Sequence, residues 1–139
     1  MALNPKTAAA RRNAALDTVF DTLNSGNFRV ADGTQPTDAD TALGAQVSLA
    51  DCPFGSTAFA AASAGSKTAN AITQDSSANA SSTATWCTLQ ATGIAFSGSN
   101  ARVMDMSAGT SGANINFNSV AISSGAAVSI SSFSATMAA

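Results

Sequence analysis

The stretch Leu16-Asp17-Thr18-Val19-Phe20-Asp21-Thr22-Leu23-Asn24-Ser25-Gly26-Asn27-Phe28-Arg29-Val30-Ala31 changes its hydrophobic period in the middle. Before Gly26, Leu16, Val19, Phe20 and Leu23 stand at i, i+3, i+4 and i+7, the spacing that gathers side chains on one face of an α-helix. After Gly26 the period falls to two, and Phe28-Arg29-Val30-Ala31 reads as a strand. The helix is expected to start near Pro5 or Thr7, since Asn and Thr cap helices well and Pro fits the first turn. Asn24-Ser25-Gly26 is expected to stop it, with Gly26 taking a left-handed conformation. A short N-terminal helical segment, residues 1–26, thus leads into a β-rich domain, residues 27–139.

Strand signals recur along that domain. Asp32 to Asp40 is rich in turn formers and reads as a loop. Gln46–Leu49 reads as a short strand stopped by Asp51-Cys52-Pro53, and Phe54–Ala62 as another. Ala64-Gly65-Ser66-Lys67 reads as a hairpin turn before Thr68–Thr73. Gln74–Ser82 is expected to be an exposed loop, and Thr83–Gln90 a strand centred on Trp86. Arg102–Met106 alternates, Ser107–Ala113 is a Gly-rich turn region, and Ile115 and Phe117 share a face. Val120 and Ile122 resume the alternation after a slip of one residue, which suggests a bulge or bend at Asn118-Ser119. A turn is expected at Ser123–Ala126, and Val128 and Ile130 share a face of the last strand. Seven or eight short strands at regular spacing predict an antiparallel β-sandwich, jelly-roll-like, behind the short helix.

The chain is 139 residues long, and 45% are hydrophobic. Much of that share is Ala, which adds little side-chain area, so the core leans on Phe20, Phe28, Phe54, Phe59, Trp86, Phe96, Phe117 and Phe133. A core this thin gains from assembly with further subunits.

Absent residues restrict the chemistry. There is no His, Glu or Tyr, and the acids are eight Asp. General acid–base catalysis near neutral pH draws on His, Glu, Lys, Tyr or Cys, which leaves Lys6, Lys67, Cys52 and Cys87. A His-assisted nucleophile cannot be assembled from this chain, nor can an imidazole zinc site, and two Cys alone do not close a structural zinc site. Asp32, Asp38 and Asp40 form the best candidate cation loop, since hard oxygen ligands suit Ca²⁺. Their spacing does not match an EF-hand loop, whose closing Glu is missing, and turn formation explains the same residues. No catalytic, cofactor-binding or metal-ligating residue is therefore assigned, and the chain is expected not to be an enzyme.

Charged residues make up 10% of the chain, with a formal net charge of −2, and none follows Asp105. Nothing resembles the basic stripe of a nucleic-acid binder. A charge-free C-terminal third suits either a protein–protein contact or a Ser-coated sheet face. Arg11 and Arg12 fall near the helix start, where the dipole disfavours cations, so they are either solvated or meet an acidic neighbour. Met1–Arg12 lacks the apolar stretch of a secretory leader, and no stretch is apolar enough to span a bilayer. Free thiols are accordingly expected at Cys52 and Cys87, with Cys87 a small buried hydrophobe and Cys52 at a turn or strand edge. Asn79-Ala80-Ser81 fits the glycosylation pattern and is read as a chance match. Trp86 is expected in the core.

Several ordered pieces carry a resemblance: Arg12-Asn13-Ala14-Ala15-Leu16-Asp17, Asp32-Gly33-Thr34-Gln35-Pro36, Phe54-Gly55-Ser56-Thr57-Ala58-Phe59, Ala69-Asn70-Ala71-Ile72 and Ala84-Thr85-Trp86. Val103-Met104-Asp105, Gly109-Thr110-Ser111-Gly112-Ala113 and Ile115-Asn116-Phe117-Asn118-Ser119-Val120 continue the series. Together they span most of the chain, which resembles a family of small virion structural proteins of tailed bacteriophages. Cys52 and Cys87 depart from that pattern. The resemblance implies a capsid decoration, or cement, protein assembled in the host bacterial cytoplasm and bound to the outer surface of the head. Its partners would be the major capsid protein and further copies of itself, a trimer favoured over a dimer, with no direct nucleic-acid contact, no membrane and no cofactor. A neck or tail subunit is the alternative. A carbohydrate-binding adhesion module fits less well, because sugar sites expose aromatics and this chain has one Trp and no Tyr.

Overall fold

A computed structural model describes residues 5–97 and 102–139, so residues 1–4 of the expected N-terminal segment lie outside the described residues. The helix α1 spans Ala9–Phe20 and runs into a short 3-10 turn, Asp21–Leu23. It starts later than Pro5 or Thr7, and Ala8 at its N-cap makes no side-chain cap. The carbonyl of Thr7, rather than its hydroxyl, is used there, accepting from Arg12 Nη1. Leu16, Phe20 and Leu23 are buried, whereas Val19 is 43% exposed, so the apolar stripe is narrower than the spacing suggested. Asn13 and Asp17 lie beside this stripe and also face the protein, whereas Arg11, Ala14 and Thr18 on the opposite side are exposed. Asn13 Oδ1 accepts from Gly65 N at 2.8 Å and Asp17 Oδ1 from Ala62 N at 3.0 Å.

Gly26 joins helix to sheet, but Ser25 takes the left-handed conformation, with φ of 57°. Gly26 is needed for space, because a Cβ there would lie 2.3 Å from the Gln90 carbonyl oxygen. The chain can pass this close to the neighbouring strand only without a side chain.

Nine strands follow among the described residues: β1 Asn27–Ala31, β2 Ser48–Pro53, β3 Ser66–Thr68, β4 Ser82–Thr83, β5 Trp86–Gln90, β6 Arg102–Gly109, β7 Ile115–Asn116, β8 Ala121–Ile122 and β9 Ser134–Thr136. The main sheet has the order β2-β1-β5-β6-β7, and β3-β9 and β4-β8 form two small sheets. The fold is mainly β and broadly sandwich-like, as expected, but the strand order is mixed and β6 pairs with β7 in parallel. Asn114 makes that tight connection possible, its Oδ1 accepting from Ser107 N and its N–H donating to Ser107 Oγ.

Other departures have local causes. The second strand runs through Asp51-Cys52-Pro53 instead of stopping there, since Pro53 ends an edge strand where a missing N–H is tolerated. Phe54–Ala62 is not a strand and pairs only through the isolated bridges Phe54–Ile72 and Phe59–Ala69. Gln74–Ser82 is bound down as well as exposed: Asp75 bridges Val128, and Ala78 is buried. Val128 and Ile130 are buried as expected, yet the last strand lies further on, at β9.

Phe28, Val30, Ala50, Cys52, Cys87, Leu89 and Met106 cover one face of the main sheet and belong to one core with Leu16, Phe20, Phe54, Phe59 and Phe133. The opposite face is also closed. Trp86, Thr88 and Gln90 are fully buried there, and Trp86 packs on Phe96 with ring centroids 6.0 Å apart.

Candidate functional site

The positions where chemistry was conceivable can be followed one by one. Asp32 Oδ1 accepts from Val47 N at 2.8 Å, and its carbonyl accepts from Trp86 Nε1 at 2.8 Å. Asp38 Oδ1 accepts from Thr41 Oγ1 at 2.8 Å and from Asp40 N at 3.0 Å. The Thr41 hydroxyl, followed by backbone N–H groups and Arg102, holds the Asp38 carboxyl below its usual range against a modest desolvation. These are turn-closing bonds, and Asp40 points to solvent. Among the described residues no three Asp or Cys side chains gather as a metal-binding group.

Beneath this loop lies a layer of buried polar groups. Arg29 stands opposite Asp51 on β2 and Thr88 on β5, and Thr88 stands opposite Asp105 on β6, so one row crosses four strands. Arg29 Nε is 3.1 Å from Asp51 Oδ1, and Arg29 Nη1 donates to Gln90 Oε1 at 2.7 Å. Arg102 Nε meets both oxygens of Asp105 at 3.1 Å, and its Nη2 donates to the carbonyls of Asp38 and Thr41. The Arg102 and Asp105 side chains are only 1% and 4% exposed. Each guanidinium thus has its own carboxylate; Arg102 ties the loop to β6, while Arg29 ties β1 to β2 and β5. Charge balance suits this layer to holding the strands together.

Lys67 is the most deeply buried amine. Its Nζ lies 2.5 Å from Asp17 Oδ1 and 2.9 Å from Asp21 Oδ1, with its side chain 1% exposed. Burial draws its pKa down, but hydrogen bonds and charge from the two Asp outweigh this, and the net shift is upward. Asp17 is shifted down, chiefly by its hydrogen bond to Lys67. A charged, doubly paired lysine is not a nucleophile or a general base. The sequence held a signal for it, since Asp17 and Asp21 are one helical turn apart beside the buried face, but only the fold brings Lys67 to them.

Both cysteines are free and buried. Burial raises both thiols, Cys87 to about 12, so neither is a thiolate near neutral pH. Cys52 sits on the edge strand, as the following Pro suggested. Arg11 and Lys6 are exposed, and half-buried Arg12 packs its guanidinium against the Gly65 turn. Asn79 Nδ2 lies 3.4 Å from Asp51 Oδ2.

What remains is a surface. No charged residue lies between Asp75 and Arg102 or after Asp105. The fold joins these two stretches: Ala78 N donates to Ala126 O and Ala84 N to Val120 O, both at 2.8 Å, and β4 pairs with β8. Ser124 N donates to Ser81 Oγ at 2.8 Å. Residues 76–84 and 114–132 thereby form one uncharged face of Ser, Asn, Ala and Thr, with half-buried Ile115, Phe117, Val120 and Ile122 beneath. The C-terminal stretch was legible in the sequence as charge-free, but its continuation across β4 was not. Comparison of the chain with protein-family models, with curated proteins and with solved structures finds no match.

Proposed function

We propose that the chain is a bacteriophage virion structural protein that decorates the outside of the head and stiffens the shell by bridging copies of the major capsid protein. The uncharged face formed by residues 76–84 and 114–132 carries this reading. Burying it against a partner strands no ionic group, and the cores of protein interfaces are typically depleted of charge. The sheet beneath has both faces packed, so the contact is presented on a stiff body with little ordering entropy left to lose. Each site can be weak, because many copies on one lattice add through avidity and mass action. The buried, paired Lys67 and the raised thiols fit a structural role.

The test is reconstitution. Heads purified without the protein should bind it on co-sedimentation and then rupture at a higher temperature. Heads that fail to bind it, in either the immature or the expanded form, would contradict the reading.

A further inference from the structure

The main sheet ends on β7, which pairs with β6 on one side only. In a parallel pair alternate residues turn their backbone groups to opposite sides. Phe117 N donates to Gly109 O on β6, so Asn116 and Asn118 turn theirs away from β6. That free side opens on a groove of about 430 Å³, whose other wall is Ser129–Ser132. The far wall is held in place at both ends: Val128 exchanges hydrogen bonds with Asp75, and Phe133 O accepts from Ala69 N. Between those anchors, among the described residues, the backbone groups of Ser129, Ile130, Ser131 and Ser132 have no protein partner, nor do those of Asn118. A second groove, of about 290 Å³, shares Phe117, Asn118 and Ser129 with the first and continues it past Ile122 and Ala126. The two make one elongated trough.

We propose that this trough takes an extended, uncharged segment of the capsid protein, which adds beside β7 as a further strand. The inference rests on the decoration reading and names the contact through which that reading works. Unpartnered backbone groups on two facing walls match the alternating donors and acceptors of a peptide main chain, which is the basis of strand addition. The length of the trough suits an extended segment rather than a compact ligand. Its chemistry selects for neutral side chains, because no charged residue follows Asp105 and a charge brought in would find no counter-charge. Free strand edges are commonly blunted with Lys or Pro, and residues 114–132 contain neither. Exposed Asn114, Asn116 and Asn118 alternate with half-buried Ile115 and Phe117, so β7 presents a regular strand to its partner.

The experiment adds the purified full chain to heads prepared without it and compares hydrogen exchange before and after binding. The amides of Ser129–Ser132 should exchange freely in the unbound chain and about tenfold or more slowly on the head. Ser131→Lys, at an exposed position and checked for folding by circular dichroism, should weaken co-sedimentation with heads about tenfold or more. Ser131→Ala, which keeps the backbone, should leave it unchanged. Ser131→Cys carrying a photo-cross-linker should capture one uncharged segment of the capsid protein. Heads that bind the chain while the Ser129–Ser132 amides stay unprotected overturn the inference and leave the decoration reading standing. So does binding that Ser131→Lys leaves intact, or capture of a second copy of this chain in place of the capsid protein. Heads that do not bind the chain at all overturn both.

Discussion

The Lys67 ammonium lies 2.5 Å from Asp17 Oδ1, which ties β3 to the helix through a base with almost no solvent contact. Its second partner, Asp21, is 2.9 Å away. Removing the base and removing the acids should therefore have unequal effects. Lys67→Met keeps the volume and abolishes the need for partners, which is often close to neutral for a buried ion pair. Asp17→Asn with Asp21→Asn leaves an ammonium buried without a counter-charge. The double Asn variant should lose more thermal stability than Lys67→Met, as read by circular dichroism melts, and the reverse order would show that the buried ammonium does not depend on the two carboxylates as counter-charges.

This cluster, with Asp38 and Cys87, sets the pH range of stability. Asp17 and Asp38 are held below their ordinary value of 3.8, so their contribution is present above that pH and is lost as pH falls through their lower folded values. Lys67 is held above its ordinary 10.5, so its contribution is present below that pH and is lost as pH rises through its higher folded value. Cys87, raised from 9.0 to about 12, adds to the alkaline loss, because the unfolded thiol ionises first. With no His in the chain, the melting temperature should be nearly flat between these limits. A melting series across pH checks this, and a step near the ordinary His range would contradict it.

Phe133 joins the layers of the core. Its ring centroid lies 5.8 Å from that of Phe28 on the main sheet, 6.0 Å from Phe59 and 6.3 Å from Phe20 on the helix. Phe133→Ala should cost about 3–5 kcal/mol in urea unfolding, the range for a large core aromatic. For a core with few large side chains, that loss should bring the domain close to unfolding at ambient temperature.

The thiols should be inert until the fold opens. Cys52 on β2 and Cys87 on β5 are separated by β1, about 9–10 Å at strand spacing alone, whereas a disulfide needs Cα atoms within about 7 Å. A thiol-reactive dye should label neither residue in the native protein at mildly alkaline pH and both in denaturant. Rapid labelling of the native chain would mean that the β2 edge opens.

The parts of the fold legible in the sequence were those carried by local pattern. The change of period at Gly26 separated α1 from β1, and Ala64–Lys67 and Ser123–Ala126 announced turns by composition, although Ser66 and Lys67 already belong to β3. Trp86 marked the central strand β5, although the expected strand Thr83–Gln90 breaks at Ala84-Thr85, so that Thr83 falls in β4 and Trp86 opens β5. Long-range pairing was not legible. Val19 has the spacing of a core residue but falls at the edge of the stripe, and the parallel β6–β7 pair depends on one Asn side chain that alternation does not register. The buried polar layer was missed because Arg29 and Arg102 look like ordinary outward residues between apolar neighbours. The burial of Arg102 follows from the Asp32–Val47 connection folding back onto it, which only tertiary structure reveals. The uncharged face was half legible: the C-terminal stretch stands out by composition, but its union with residues 76–84 needs the β4–β8 pair.

Whether that face meets a phage head is tested most directly by electron cryomicroscopy of intact particles that carry this chain, reading its position and copy number. Decoration predicts many copies spread over the outer head surface, with residues 76–84 and 114–132 contacting the shell or neighbouring copies. A single ring of copies at the neck or tail would contradict it.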